Sequence, residues 1–146
     1  MIRLDEVRAR VEAKVPALVG RLQHAGDFAR MVEKNQLPQV TPAGFVLPGG
    51  ISGGKAEAMA GAYVQAFRER VLVAIVVRSA GDPLESRAID QATPIVIDVI
   101  NAVAGWGPDD APGIFVLEQA ELVGATQGAL VFQIDFGLDD QLRITG

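Results

Sequence analysis

Three features of this sequence predict an α+β domain: an antiparallel or mixed four-stranded sheet with a long hairpin, and helices packed on one face. The first is an apolar stripe at helical spacing near the start: Leu4, Val7, Val11, Val15 and Leu18. The second is a two-residue period in two separate stretches. Phe67, Val71, Val73, Ile75 and Val77 keep it in one, and Leu130, Phe132, Ile134, Phe136 and Leu138 in the other. The third is a seam stepping 3-4-3-4 between them, Ile89, Ala92, Val96, Val99 and Val103, suited to packing on a sheet. The resulting order is ααββαββ. At 146 residues the chain makes one domain, 1–146.

The first helix runs from about Leu4 to Val15, with Arg3, Asp5, Glu6, Arg8, Arg10, Glu12 and Lys14 on its other face. Pro16 biases Val15 away from the helical basin and closes it. Asp27 is a good N-cap for a short second helix, Phe28 to Glu33, with Phe28, Met31 and Val32 turned inward. Asn35 suits a left-handed C-cap. Ala43 to Leu47 is a short apolar strand that breaks at Pro48 into a glycine-rich loop. Ala62 to Arg78 is one long strand, so the loop joins two strands as a long hairpin.

Gly81, Asp82 and Pro83 turn the chain into the main helix, where Pro94 predicts a kink or restart near Thr93. Gly105 ends that helix, and Trp106 anchors the following turn to the core. Strands Ile114 to Val123 and Ala129 to Leu138 follow, joined by a turn holding Gly124 and Gly128. In the last strand Phe132 and Phe136 take the buried face and Asp135 the wet one.

The glycine-rich stretch raises the question of phosphate chemistry. Gly49 to Lys55 fits G-x-x-x-x-G-K, the start of a loop whose backbone N–H groups surround phosphates. The next position needs a Ser or Thr hydroxyl for Mg²⁺, but it is Ala56. Pro48 removes a backbone donor just before the glycines. No downstream apolar strand ends in a metal-holding Asp: Val71 to Val77 runs into Arg78, and Asp82 lies in a turn. The sequence therefore predicts a flexible hairpin loop and no nucleotide site.

Other chemistry is equally sparse. The lone histidine, His24, reads as a surface loop residue, because one histidine beside Gly26 cannot build a metal site without carboxylate partners. Asp109–Asp110 and Asp139–Asp140 are adjacent carboxylates, but sequence neighbours point different ways, and solvated loops account for both pairs. With no cysteine there is no disulfide framework, thiolate metal site or thiol nucleophile. No catalytic, cofactor or metal residue is predicted. A net charge of −5 and a pI near 4.8 weigh against a nucleic-acid surface. The longest apolar run, Val71 to Val77, cannot span a bilayer, and the charged start MIRLDEVRARVE has no secretory h-region. A soluble cytosolic protein is expected. Its 49% apolar content and mean hydropathy of +0.26 are high for a monomer, which predicts apolar surface buried against other subunits.

In order along the chain, several features resemble one family: Val15-Pro-Ala-Leu18, Asp27-Phe-Ala29, Leu37-Pro-Gln-Val-Thr-Pro-Ala43, and Phe45-Val-Leu-Pro48 with the glycines after it. Ala104-Gly-Trp106 and Phe132-Gln-Ile-Asp-Phe136 complete the pattern. Together they resemble the tail terminator proteins of long-tailed phages, prophages and gene transfer agents, over nearly the whole chain. The resemblance implies an α+β subunit without enzymatic activity. It implies a six-fold ring that caps the finished tail tube, stops its polymerisation and receives the head-completion (stopper) protein. The partners it implies are other copies of this chain, the tube protein and the stopper, in the virion tail or in the host cytoplasm during assembly. The expected interface is Pro48, Gly49, Gly50, Ile51, Ser52, Gly53, Gly54, Lys55 and Tyr63. The alternatives are another head–tail neck or minor tail protein, or an α+β oligomer binding a small molecule between subunits.

Overall fold

The computed structural model describes residues 2–78, 86–126 and 129–145. Its elements are α1 (Leu4–Lys14), a single 3₁₀ turn (Pro16–Leu18), β1 (Leu22–Gln23), α2 (Ala25–Lys34), β2 (Ala43–Met59), β3 (Ala62–Arg78), α3 (Ser86–Val103), β4 (Phe115–Thr126) and β5 (Ala129–Thr145). The α+β class and the long hairpin hold. The sheet has five strands in the order β1-β2-β3-β5-β4, where four were expected. The extra strand, β1, pairs parallel to β2 only at Leu22↔Gly44 and Gln23↔Phe45, which makes the sheet mixed. Two residues are too few to show a period, so the sequence gives β1 no signal.

The N-terminal stripe is buried as its spacing requires: Val7, Val11, Val15 and Leu18 are fully enclosed, with Leu4 packed at their margin. Because strand neighbours face opposite ways, one sheet face collects Val46, Val71, Val73, Ile75, Ile134, Phe136 and Leu138 under α1 and α3. The other face collects Phe45, Leu47, Ala74 and Val76, and there α2 packs through Phe28 and Met31. The Phe28 and Phe45 rings meet edge-on, with centroids 5.2 Å apart. Helices therefore cover both faces, not one. Phe45 and Val46 are both apolar neighbours, and a strand with that pattern needs cover on each side.

Several local expectations shift. α2 starts at Ala25, with His24 as N-cap and Asp27 inside the first turn. The Asp27 carboxylate accepts the His24 backbone N–H at 3.2 Å, so Asp27 caps from within the helix. Val32 is 62% exposed, not turned inward. Asn35 does take the left-handed C-cap, with φ 51°. α3 runs unbroken through Pro94, and the Thr93 hydroxyl donates to the Ile89 carbonyl at 2.8 Å. Its buried seam is Ala88, Ala92, Ile95, Val99 and Val103, while Ile89 is 43% exposed. The small Ala88 side chain, one position before Ile89, faces the core and allows close approach. Gly105 follows the helix with φ +81°, and the Trp106 ring stacks on Phe115. The turn expected at Gly81, Asp82 and Pro83 lies outside the described residues, as does Gly128.

The largest correction concerns the glycines. Ala43–Met59 is one strand paired with β3, so no loop opens at Pro48. The ladder slips between Pro48 and Ile51 and again between Gly53 and Ala56. At the first slip Gly50 has φ +93°, a conformation open to glycine, and a bulge there absorbs the extra residue. The hairpin closes instead at Ala60 and Gly61, between the paired residues Met59 and Ala62. β5 likewise continues past Leu138 to Thr145, paired with β3, so Asp139–Asp140 lies in a strand and not in a solvated loop.

Candidate functional site

Past Leu47 of β2 and Leu138 of β5 the two core clusters end, and the sheet continues as a three-stranded arm. Its outer strands are β2 and the end of β5, and Ile51 to Ala58 of β2 are all exposed. Pro48, Gly49, Gly50, Ile51, Ser52, Gly53, Gly54 and Lys55 lie consecutively on that strand. Tyr63 sits on β3 opposite Ala58 and donates its hydroxyl to Gln65 at 2.7 Å. The structure thus gathers all nine expected residues on one arm, the glycine run along one free border.

Extended geometry also disposes of the phosphate reading. Gly49 to Lys55 pairs along β3 and does not wrap between a strand and a helix, and the Lys55 ammonium lies 3.4 Å from Glu57. Among the described residues no cluster of His, Asp or Glu could hold a metal ion.

Charged groups knit the arm to the rest of the sheet. On one face Arg68 donates to Glu118 and to Asp139, each at 2.8 Å, and Arg70 donates to Glu118 at 3.1 Å and to the Ser52 hydroxyl at 2.8 Å. The Arg68 hydrogen bond holds the Glu118 carboxyl below its ordinary range, against the opposing effect of burial. On the other face the buried Arg3 side chain bonds Asp110 at 2.7 Å and Asp140 at 3.5 Å. The Arg3 guanidinium likewise lowers the Asp110 carboxyl. Arg3 also donates its backbone N–H to the buried Glu69 carboxylate at 2.6 Å. Asp139 and Asp140 accordingly serve opposite faces, as strand neighbours must. His24 is exposed at the start of α2.

Sequence reasoning missed the opposite border of the sheet. β4 is an outer strand, and Val116, Leu117, Leu122 and Val123 are between 38% and 48% exposed along it, with Ile114 exposed just before it. The surplus of apolar residues had signalled such a surface without locating it. A run of twelve residues with no Lys or Pro, FVLEQAELVGAT, is the local signal, because solvent-facing edges ordinarily carry one of these.

The arm and the β4 border can bind through backbone pairing and apolar contact, and neither assembles an acid, base or nucleophile. Comparison with known families agrees with a structural role. A family model described as phage tail terminator protein matches residues 1–146, the whole chain. Among curated proteins, none matches this sequence significantly.

Proposed function

The chain belongs to the phage tail terminator family, and we propose that it forms a six-fold ring that caps the finished tail tube. On this reading the ring halts tube polymerisation on one side and offers the head-completion (stopper) protein a joining surface on the other. The observation that carries it is a single open sheet with two unlike, uncovered borders, one of them strongly apolar. Such a subunit has most to gain from repeating contacts with its own copies. The glycine-bearing arm supports a docking role, since its exposed outer strand is free to pair with or lie on a partner.

Two measurements test this. Solution mass across a concentration series should pass from monomer towards hexamer. Deleting Gly50 to Ala60 should leave the two core clusters folded but give tails of uncontrolled length. A tail particle in which this protein sits as an isolated monomer or a two-fold dimer would overturn the ring.

A further inference from the structure

We propose that the β4 edge of one copy pairs antiparallel with the β2 edge of the next, so that the sheets run on continuously around the assembly. This rests on the ring reading above and names the two surfaces that close it.

Both edges are open within the subunit. β4 borders the sheet on one side, and on the other β1 covers β2 only at Gly44 and Phe45. An uncovered strand presents unpaired N–H and C=O groups, and proteins that remain monomers blunt such edges with Lys, Pro or shortness. β4 is 12 residues long and has neither Lys nor Pro. Its apolar side chains Val116, Leu117, Leu122 and Val123 are exposed. The uncovered part of β2, from Val46 to Met59, is long enough to match all of it, and it carries Pro48 and Lys55, so β4 is the unblunted edge of the two.

Strand direction decides the geometry. β2 is antiparallel to β3, β3 to β5, and β5 to β4, so β2 and β4 run in opposite directions. A copy related by rotation about an axis along the strands therefore offers β2 antiparallel to its neighbour's β4. That is the better-bonded pairing. Because the two edges differ, each union leaves one of each kind free, and association proceeds until rotation closes a ring. β4 meeting β4 would end at a dimer.

Charge does not oppose the unlike pairing. β4 carries two acidic residues, Glu118 and Glu121, and no basic one, whereas the uncovered part of β2 carries Lys55 and Glu57 and is neutral. Two β4 edges brought together would set like charges side by side, which β4 against β2 avoids. Register slips at Leu117/Gln119 on β4, and at Pro48/Ile51 and Gly53/Ala56 on β2, bend both edge strands, as a closed ring of sheets requires.

The chain has no cysteine, so single introduced thiols report pairing directly. Val116→Cys and Val123→Cys on β4, and Ile51→Cys, Ala56→Cys and Ala58→Cys on β2, place them at exposed positions. Each would be oxidised alone and in β4-plus-β2 mixtures, at concentrations where native mass shows assembly. The expected result is disulfide dimers only in mixtures, for pairs whose residue numbers share about one sum. Combining such a pair in one chain should give a covalent ladder ending at the ring number. Dimers from a β4 variant alone, or links that follow a constant difference instead of a sum, would overturn the pairing. A full ring by mass with no β4–β2 link would overturn it while leaving the ring intact. No assembly at any concentration, and none on tail tubes, would remove the ring and the pairing together.

Discussion

Glu118 of β4 reaches Arg68 of β3 directly over Gly137 of β5. A methyl group on Gly137 would occupy the space taken by the Glu118 carboxylate and the Arg68 guanidinium. The ion pair spans 2.8 Å between strands that are not neighbours in the sheet, and only a residue without a side chain lets it pass. Gly137 thereby ties the β4 border to the arm.

Gly137→Ala should cost about 0.2–1 kcal/mol, the range of a partly exposed ion pair, because its methyl meets only the ends of the flexible Glu118 and Arg68 side chains and pushes them apart. Glu118→Ala alone should cost a similar amount, because it removes the same pair. The double variant should lose clearly less than the sum, since removing the carboxylate makes room for the methyl. Urea unfolding midpoints measure all three, and strict additivity would mean that the two residues do not share the space.

The last strand offers a test of register. Phe136 is fully buried beneath α1 and α3, and Asp135 points to the opposite face. Phe136→Ala should lose about 3–5 kcal/mol, a large part of a typical total of about 5–15 kcal/mol. Asp135→Asn should change the unfolding midpoint little. Small, equal effects from both would place the strand one residue out of register.

Acid should weaken the domain through the two carboxyls held low by arginine. In the fold, Glu118 lies below its ordinary 4.5 and Asp110 below its ordinary 3.8. In the unfolded chain both take up protons first as pH falls. The stability they contribute is therefore complete above about pH 4.5 and drains away through the lowered folded values. Melting temperature should be level from neutral pH down to that point and then fall. Glu118→Gln should flatten part of the fall; an unchanged slope would show that its pairing carries no linkage.

Where apolar residues alternate or step regularly, the sequence was legible. The stripe from Val7 to Leu18, the valine strand and the Phe136 face were all readable, because burial on one side imposes the period. The seam of α3 was readable only to within one position, since Ala88 and Ile89 are both apolar and packing chooses between them. The arm was illegible for a physical reason. Ile51 to Ala58 on its outer strand meets solvent on both faces, so nothing selects alternation there, and glycines that serve bulges look like glycines that open loops. The role of α2 on the second face was hidden in plain sight: Phe45 and Val46 side by side called for cover on both sides. Gly137 sat on the strand's wet face in the sequence, and only the cross-strand ion pair explains it.

Lys55 gives the arm its sharpest test. It is the only basic residue between Lys34 and Arg68, and its side chain is 84% exposed. A loop lysine would be cut by trypsin at once, but Lys55 lies on a paired strand, so a protease must wait for local opening. Opening should be cheap here, because neither core cluster extends along β2 beyond Leu47 and the register slip at Gly53/Ala56 thins the ladder beside Lys55. The free subunit should therefore be nicked after Lys55 well before any cut in the buried strands, at a rate that rises steeply with mild urea. Assembly should suppress the cut, since pairing of the β2 border removes the opened state. Lys55→Ala should leave folding and assembly nearly unchanged, because one exposed charge contributes little. Equal cutting in the free and assembled states would mean that the β2 border stays bare in the ring, and the arm would then have to act on the tail tube alone.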